Sequence, residues 1–485
     1  MANMLAWFSF PAEIRLMILE FLAREKHGLA SYASVCREWV EVIEKKNFGR
    51  LKLGEPCLDD LEHMVSRRRG LVKHIWLNIE LRRYTCRCCD MEESRPWTSS
   101  NNAIITRAIS KLFGILATWK ASSGSGLTLE LSAQSPSDNQ HWFKHFYFGS
   151  ESTNDDEDGY AASILDSQND GLHEHTNYPY HDLIDGRQVV NPSGFAVLRL
   201  FERVGLNFKV ELPTVPVVTK LVLRRQCRRR FDGKALGVRL EKLPRLECLV
   251  YEPWRGWPGV KQRRYDEGYR AMIEEHLPKG LNRLSVFEDY SDDLIRLFRD
   301  RELHGRVERV RTPEPKVGKA FAYRSLSLEH LSVSFMADAQ HFFEARKPRW
   351  KWNRLRSLML TSRLLTPTAD PRRVCDLLEN AGVAALYMPE LRNMTLWNGE
   401  RGLACAFLYR RDMDRPPSIV WRGTWVVDME PRVIQAWERA AAEHAGARCT
   451  LRVETQALCC DCGTIGSHGD AIHHLDLPRE VVDPT

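Results

Sequence analysis

Two hydrophobic periods run along this chain, one helical and one strand-like. Near the N-terminus Ile14, Met17, Ile18, Phe21 and Leu22 recur at three- and four-residue steps, which gathers them on one stripe of a helix, with Glu13, Arg15 and Glu20 mostly off it. Pro11 suits the first helical position, where its missing N–H costs nothing, and Glu13 lies at the positive end of the dipole. Gly28 breaks the run. Leu29, Tyr32, Ala33 and Val35 predict a second short helix, and Val35, Trp39, Val42 and Ile43 a Trp-centred stripe on a third. A block of about forty residues is at the lower limit for burying its own core, so its leftover apolar surface is expected to face another protein.

The second period is apolar-x-x-apolar-x-apolar. It appears as Val72-x-x-Ile75-x-Leu77, Val218-x-x-Leu221-x-Leu223, Leu246-x-x-Leu249-x-Tyr251, Leu281-x-x-Leu284-x-Val286, Leu328-x-x-Leu331-x-Val333, Leu355-x-x-Leu358-x-Leu360 and Leu391-x-x-Met394-x-Leu396, with Ile472-x-x-Leu475-x-Leu477 as a candidate eighth. Its last two apolar positions alternate like a half-buried strand, and the first anchors the turn leading in. Such a pattern arises by chance roughly a dozen times in a chain of this composition, so context carries the reading. Pro244, Pro278 and Pro389 stand just before their anchor leucines, and Arg264 to His276 and Val433 to His444 read as intervening helices. The long interval 78–217 holds a predicted helix from Asn102 to Trp119 and a strand from Leu127 to Leu131. It also contains an acidic stretch, 150–171, expected to be a mobile surface insertion.

The N-terminal residues resemble an F-box, whose pattern runs Leu-Pro-x-Glu-Ile, an Ile and a Leu further along the same helix, then Val-Cys-x-x-Trp. Pro11, Glu13, Ile14, Ile18, Leu22, Val35, Cys36 and Trp39 match it, and Phe10 stands where Leu is commoner. The resemblance implies a substrate-recognition subunit of an SCF-type cullin-based ubiquitin ligase, docking a Skp-type adaptor through Phe10, Pro11, Ile14, Ile18, Leu22, Val35 and Trp39. Some of these residues, Trp39 above all, also have the character to hold the helices together. The later pattern resembles the leucine-rich repeat regions that often follow an F-box, although steps of 28, 35, 47, 27 and 36 residues are uneven. The expected fold is α/β: a three-helix F-box (1–53), a connecting region (54–217) and an irregular leucine-rich-repeat-like solenoid of short strands and helices (218–485). An ordinary α/β or α+β domain is the alternative.

Composition adds bounds. The 485 residues are 43% hydrophobic and 28% charged, normal for a folded protein, and the excess of +6 is too thin to argue for nucleic acid by itself. No stretch approaches the length of a membrane span, and Met4-Leu-Ala-Trp-Phe8 lacks the basic flank of a signal peptide. Thirteen scattered cysteines fit reduced thiols in the cytosol or nucleus better than a disulfide framework.

Candidate chemistry is sparse. Cys86-x-Cys88-Cys89 and Cys459-Cys460-x-Cys462, with His468, His473 and His474 nearby, lack the paired spacing of a closed zinc site, so no metal or cofactor is expected. A Cys beside a His needs a geometry that sequence does not specify. No phosphate loop, nucleophile elbow or His-Glu-x-x-His occurs, so no active site of its own is expected.

The basic run Arg224, Arg225, Arg228, Arg229 and Arg230 is expected on a loop at the end of a strand. There it would grip phosphates or an acidic target, act as a nuclear import signal, or simply be solvated and balanced by nearby carboxylates. Residues just past the repeat strands, Glu252, Trp254, Trp257, Glu288, Asp289, Tyr290 and Trp397, should crowd one rim, either as a target-binding patch or as caps of the core between repeats. The strings Tyr251-Glu-Pro-Trp-Arg255 and Phe287-Glu-Asp-Tyr290 resemble those of a large group of filamentous-fungal F-box proteins whose target-binding half has no assigned role. The rival expectation is an F-box-like scaffold or nucleic-acid-associated protein outside any ligase.

Overall fold

The apolar doublets of the strand pattern set the register of one large sheet. The computed structural model describes residues 7, 9–22, 35–121, 126–143, 183–184, 187–188, 192–256, 259–292, 294–295, 311–412, 415–445, 450–458, 465–478 and 481. The expected second helix, the acidic stretch 150–171, Trp257, Cys459, Cys460 and Cys462 lie outside these residues.

The chain opens with helices α1 (Ala12–Leu22) and α2 (Arg37–Gly49), which pack on one another. Then α2 runs straight into β1 (Arg50–Leu53), followed by α3 (Leu58–Val65), β2 (His74–Glu80), α4 (Arg95–Ala117) and β3 (Leu127–Gln134). Next come α5 (Gly194–Leu200), β4 (Val218–Leu223), α6 (Gly233–Leu240), β5 (Cys248–Tyr251), α7 (Gly259–Ala271), β6 (Arg283–Phe287), α8 (Pro315–Arg324), β7 (His330–Ser334), α9 (Ala339–Glu344), β8 (Ser357–Thr361) and α10 (Pro371–Ala385). The chain ends with β9 (Asn393–Glu400), β10 (Leu403–Arg410), β11 (Ser418–Gly423), α11 (Pro431–Ala445), β12 (Arg452–Ala457) and α12 (His468–His474). Helix starts follow local chemistry. Asp232 and Asp370 accept hydrogen bonds from Ala235 N and Arg372 N, and prolines occupy the first turns of α4, α8 and α10.

Strands β1 to β12 form a single 12-stranded sheet in chain order, a mixed α/β architecture. Pairing is parallel except around β10, which runs antiparallel to both β9 and β11. The turn into β10 is short because Gly402 adopts φ 76°. Ile75, Leu129, Leu221, Leu249, Leu284, Leu331, Leu358 and Met394 are successive cross-strand partners, so the middle apolar position of every repeat falls on one ladder. Leu223, Tyr251, Val286, Val333, Leu360 and Leu396 form a second ladder two residues on. Both ladders share one core with the buried faces of α3, α4, α6 and α8 to α11, which places these helices on a single side of the sheet. Parallel pairing continues from β3 to β4, with a register shift between Leu127 and Thr128, at the expected boundary 217/218.

Two expectations are corrected here. Ile472-x-x-Leu475-x-Leu477 is no strand: its first residues lie in α12, capped by Ser467, whose side chain accepts from Asp470 N. Four unanticipated strands, β1, β10, β11 and β12, extend the sheet. The run Leu403 to Tyr409 is buried on both faces and so shows no alternation to read.

The opposite side of the sheet is covered in part by the chain's own C-terminal segment. Ile465, Ala471, Leu475, Leu477 and Val481 pack on Phe287, Met359, Trp397, Ala404, Ala406 and Leu408. Over β2 and β3 that side is more open, and Trp76, Asn78 and Ser132 are half-exposed. A third cluster, off the main core, joins Tyr84, Cys89, Trp142, Phe143 and α5 to Trp254. Among the described residues no helix is long and apolar enough to cross a membrane.

Candidate interaction surfaces and the polar rim

The N-terminal stripe faces outward. Leu19 on α1 is sealed at 1% exposure and Ile43 on α2 at 3%, whereas Ile14 is 41% and Phe21 67% exposed. Phe10, Leu16 and Met17 are exposed beside them, as are Pro11 and Val35, and Ile18 and Leu22 are half-buried. The helical pair is pinned by Arg15, whose Nε donates to Glu38 Oε2 at 3.1 Å and whose Nη1 donates to the Phe10 carbonyl at 2.8 Å. Trp39 lies with its ring centroid 5.2 Å from that of Trp7, so it serves the contact between N-terminal segments more than the outer face. Met17, Leu16 and Phe21 belong to the outward surface although the family pattern does not single them out; the helical period of Met17 and Phe21 was the available signal.

The residues following β5 and β6 do converge, as equivalent positions should. Trp254 and Asp289 form a parallel bridge, Arg255 N donates to Asp289 O at 2.8 Å, and Asp289 N donates to Pro253 O at 2.9 Å. They are not an open patch, however. Glu252, Trp254, Glu288, Asp289 and Trp397 are all buried, and Tyr290 is half-buried. The C-terminal segment closes over Asp289, Tyr290 and Trp397. His468 Nε2 lies 2.9 Å from Asp289 Oδ1, its ring 4.6 Å from that of Tyr290, while the Tyr290 hydroxyl donates to Gly399 O at 3.2 Å. Phe335, at φ 64°, bridges His468 to Trp397 through ring contacts of 5.4 and 5.2 Å. Burial pushes the Tyr290 hydroxyl far above its ordinary range, with Asp292 and Glu400 adding to the effect.

Beneath this rim is a buried ionic cluster that sequence gave no means of pairing. Arg311 bonds both Asp266 and Glu288, and Gln262 Nε2 donates to Asp266 Oδ1 at 2.9 Å and Glu288 Oε1 at 3.2 Å. Burial raises the Asp266 carboxyl to about 6 against the pull of Arg311, with Glu288 reinforcing the rise.

The open, phosphate-gripping form of the basic run is corrected, because four of its five guanidinium groups turn inward. Arg224 pairs with Glu130 at 3.3 Å, Arg225 with Asp289 at 3.7 Å, and Arg229 with Glu93 at 2.6 Å. Buried Arg230 donates to the carbonyls of Trp254 and Arg255 at 3.0 and 2.9 Å, and Arg228 reaches Asn139 at 3.2 Å. The physical reason is that Glu93, Glu130, Asp138 and Asp289 are themselves buried or nearly so, and carboxylates out of water require counter-charges. Burial works against the Arg229 charge, yet Asp138 and Glu93 outweigh it and raise its pKa.

Around the Cys86 turn, and among the described residues generally, no group of three or more His, Cys, Asp or Glu is placed to hold an ion. Cys88 and Cys89 direct their sulfurs to the carbonyls of Thr85 and Cys86.

Residues 276–483 match a family of unknown function, DUF6546. No curated protein matches the chain. The DUF6546 match spans β6 to β12 and α12, and so includes Glu288, Asp289, Tyr290, Trp397 and the C-terminal segment. The outward face of α1, the basic run and the Cys86 turn lie outside it.

Proposed function

We propose that this chain is the substrate-recognition subunit of an SCF-type ubiquitin ligase, with α1 and α2 as an F-box that docks a Skp-type adaptor and the repeat-bearing body presenting a target. The observation that carries the reading is the outward apolar stripe Phe10, Ile14, Met17 and Phe21, lying within the stretch that carries the F-box pattern. Chain-ordered strands with matched ladders and helices on one side support a leucine-rich-repeat-like solenoid, with β10 as an irregular unit. The rim beyond β5 and β6 is buried, in part under the chain's own C-terminal segment. The target surface is therefore better sought on the open side of β1 to β3, where Lys52 lies over the Trp76 ring at 4.4 Å and Trp76 Nε1 donates to Ser132 Oγ at 2.7 Å. This chain would contribute proximity and orientation, and its partners the transfer chemistry.

The test is capture of a purified Skp-type adaptor by the full chain. Ile14→Ala with Met17→Ala removes exposed side chains only, so the fold should persist while binding falls on the order of 30-fold, from about 2 kcal/mol of lost apolar burial. A wild-type chain that captures no adaptor would return the protein to the scaffold class. The polyanion-binding version of that class is weakened, since four of the five arginines of the basic run are held by buried carboxylates and carbonyls.

A further inference from the structure

We propose that Cys86 is a nucleophilic thiol served by His141 as its base, and that the pair is a site of oxidation by hydroperoxides. Cys86 is half-buried on the turn after β2, and its Sγ lies 3.3 Å from His141 Nδ1. The other ring nitrogen, Nε2, lies 3.2 Å from the carbonyl oxygen of Tyr84. A carbonyl can only accept, so Nε2 carries the proton in the neutral ring and Nδ1 presents its lone pair to the thiol. The ring is held in that pose by Tyr84, whose own ring lies 5.3 Å away and whose hydroxyl is fixed at 3.1 Å from Asp138. Nucleophile, base and orienting acceptor are thus in contact, which is the arrangement an activated nucleophile requires.

Its neighbours lack that arrangement. Cys88, also half-buried on the same turn, points its sulfur at Thr85 O at 3.4 Å. Cys89 is buried, donates to Cys86 O at 3.2 Å, and is pushed up to about 11 by burial and then by Cys86. Cys227 and Cys405 are fully enclosed and are pushed up to about 11 and 12 by burial. Partial exposure beside a base is the setting in which thiols react.

The step balances without a further reagent. Cys86 Sγ attacks the distal oxygen of the hydroperoxide, the S–O bond forms and the O–O bond breaks. The thiol proton passes through His141 Nδ1 to the departing alkoxide or hydroxide. Sulfur is oxidised to a sulfenic acid, and the peroxide is reduced to an alcohol or water.

The experiment exposes the reduced full-length protein to equimolar hydrogen peroxide with dimedone present and maps adducts by peptide mass spectrometry. The expected result is labelling of Cys86 at least tenfold faster than of Cys88 or of the exposed Cys57. In His141→Gln the Cys86 rate should drop toward that of Cys88 while Cys57 is unchanged. Wild-type labelling of Cys86 no faster than of Cys57 overturns the proposal whether or not the variant folds. So does a folded His141→Gln protein that labels at the wild-type rate, or a stoichiometric zinc ion that shields Cys86.

Discussion

Asp266 has one guanidinium to share with a second carboxylate. With Arg311 serving both it and Glu288, burial raises Asp266 to about 6, above the ordinary carboxylate range. Because the folded pKa exceeds the unfolded one, this group's favourable contribution is complete below about pH 4 and is lost as pH rises through 6, on the order of 3 kcal/mol in all. Stability should therefore decline between pH 5 and 7.5. In Asp266→Asn, where Glu288 still holds Arg311, that decline should be shallower. Urea midpoints for the two proteins at both pH values give the comparison, and equal slopes would mean that Asp266 does not titrate in this window. Nothing in the sequence paired Asp266 with Arg311, forty-five positions apart. The same blindness applies to Arg229 and Glu93: their charges were visible in the sequence, but the burial that forces them together is a property of the fold.

At the scale of elements, β2 and β4 to β9 were legible as apolar doublets in the repeat pattern, while β1, β10, β11 and β12 were not. Leu284-Ser285-Val286 states its register in its alternation, and its partner Leu331-Ser332-Val333 repeats it. In Leu403 to Tyr409 both faces are covered, so hydrophobicity has no period to read. The misread of Ile472 is instructive, because Ser467-His-Gly-Asp470 is a helix-start signature that should have outranked three apolar positions. That helix also explains Gly399. A Cβ there would come 2.5 Å from the Ala471 Cβ and 3.2 Å from the Trp397 ring, so α12 approaches β9 as closely as only glycine permits. Gly399→Ala should cost about 1–3 kcal/mol by overpacking. Adding Ala471→Gly should recover part of that loss, although glycine within a helix costs about 1 kcal/mol itself. Chemical denaturation of the two singles and the double measures the coupling, and strict additivity would remove the contact as the cause.

The whole molecule treats its two ends differently. At the C-terminus, α12 and its flanks cover Phe287, Met359 and Trp397, so this segment is part of the body's second core. At the N-terminus, α1 packs on α2 and is pinned to it by Arg15 and Glu38, and α2 is tied to the sheet by its continuity with β1, by Arg68 bonding Glu44, and by Arg68 lying over the Phe48 ring at 5.4 Å. None of those ties passes through α1. Deleting residues 1–22 should thus leave the body's melting temperature within about 4 °C of the full chain, the scale of a loss near 1 kcal/mol, while adaptor capture disappears. The two readings of the N-terminus part at this point. A docking module can be removed without harm to the sheet, whereas a helical cap that completes the core cannot. Should the truncated protein melt far earlier or lose its cooperative transition, the exposed stripe on α1 would be the incidental outer face of a structural cap, and the ubiquitin-ligase assignment would fall with it.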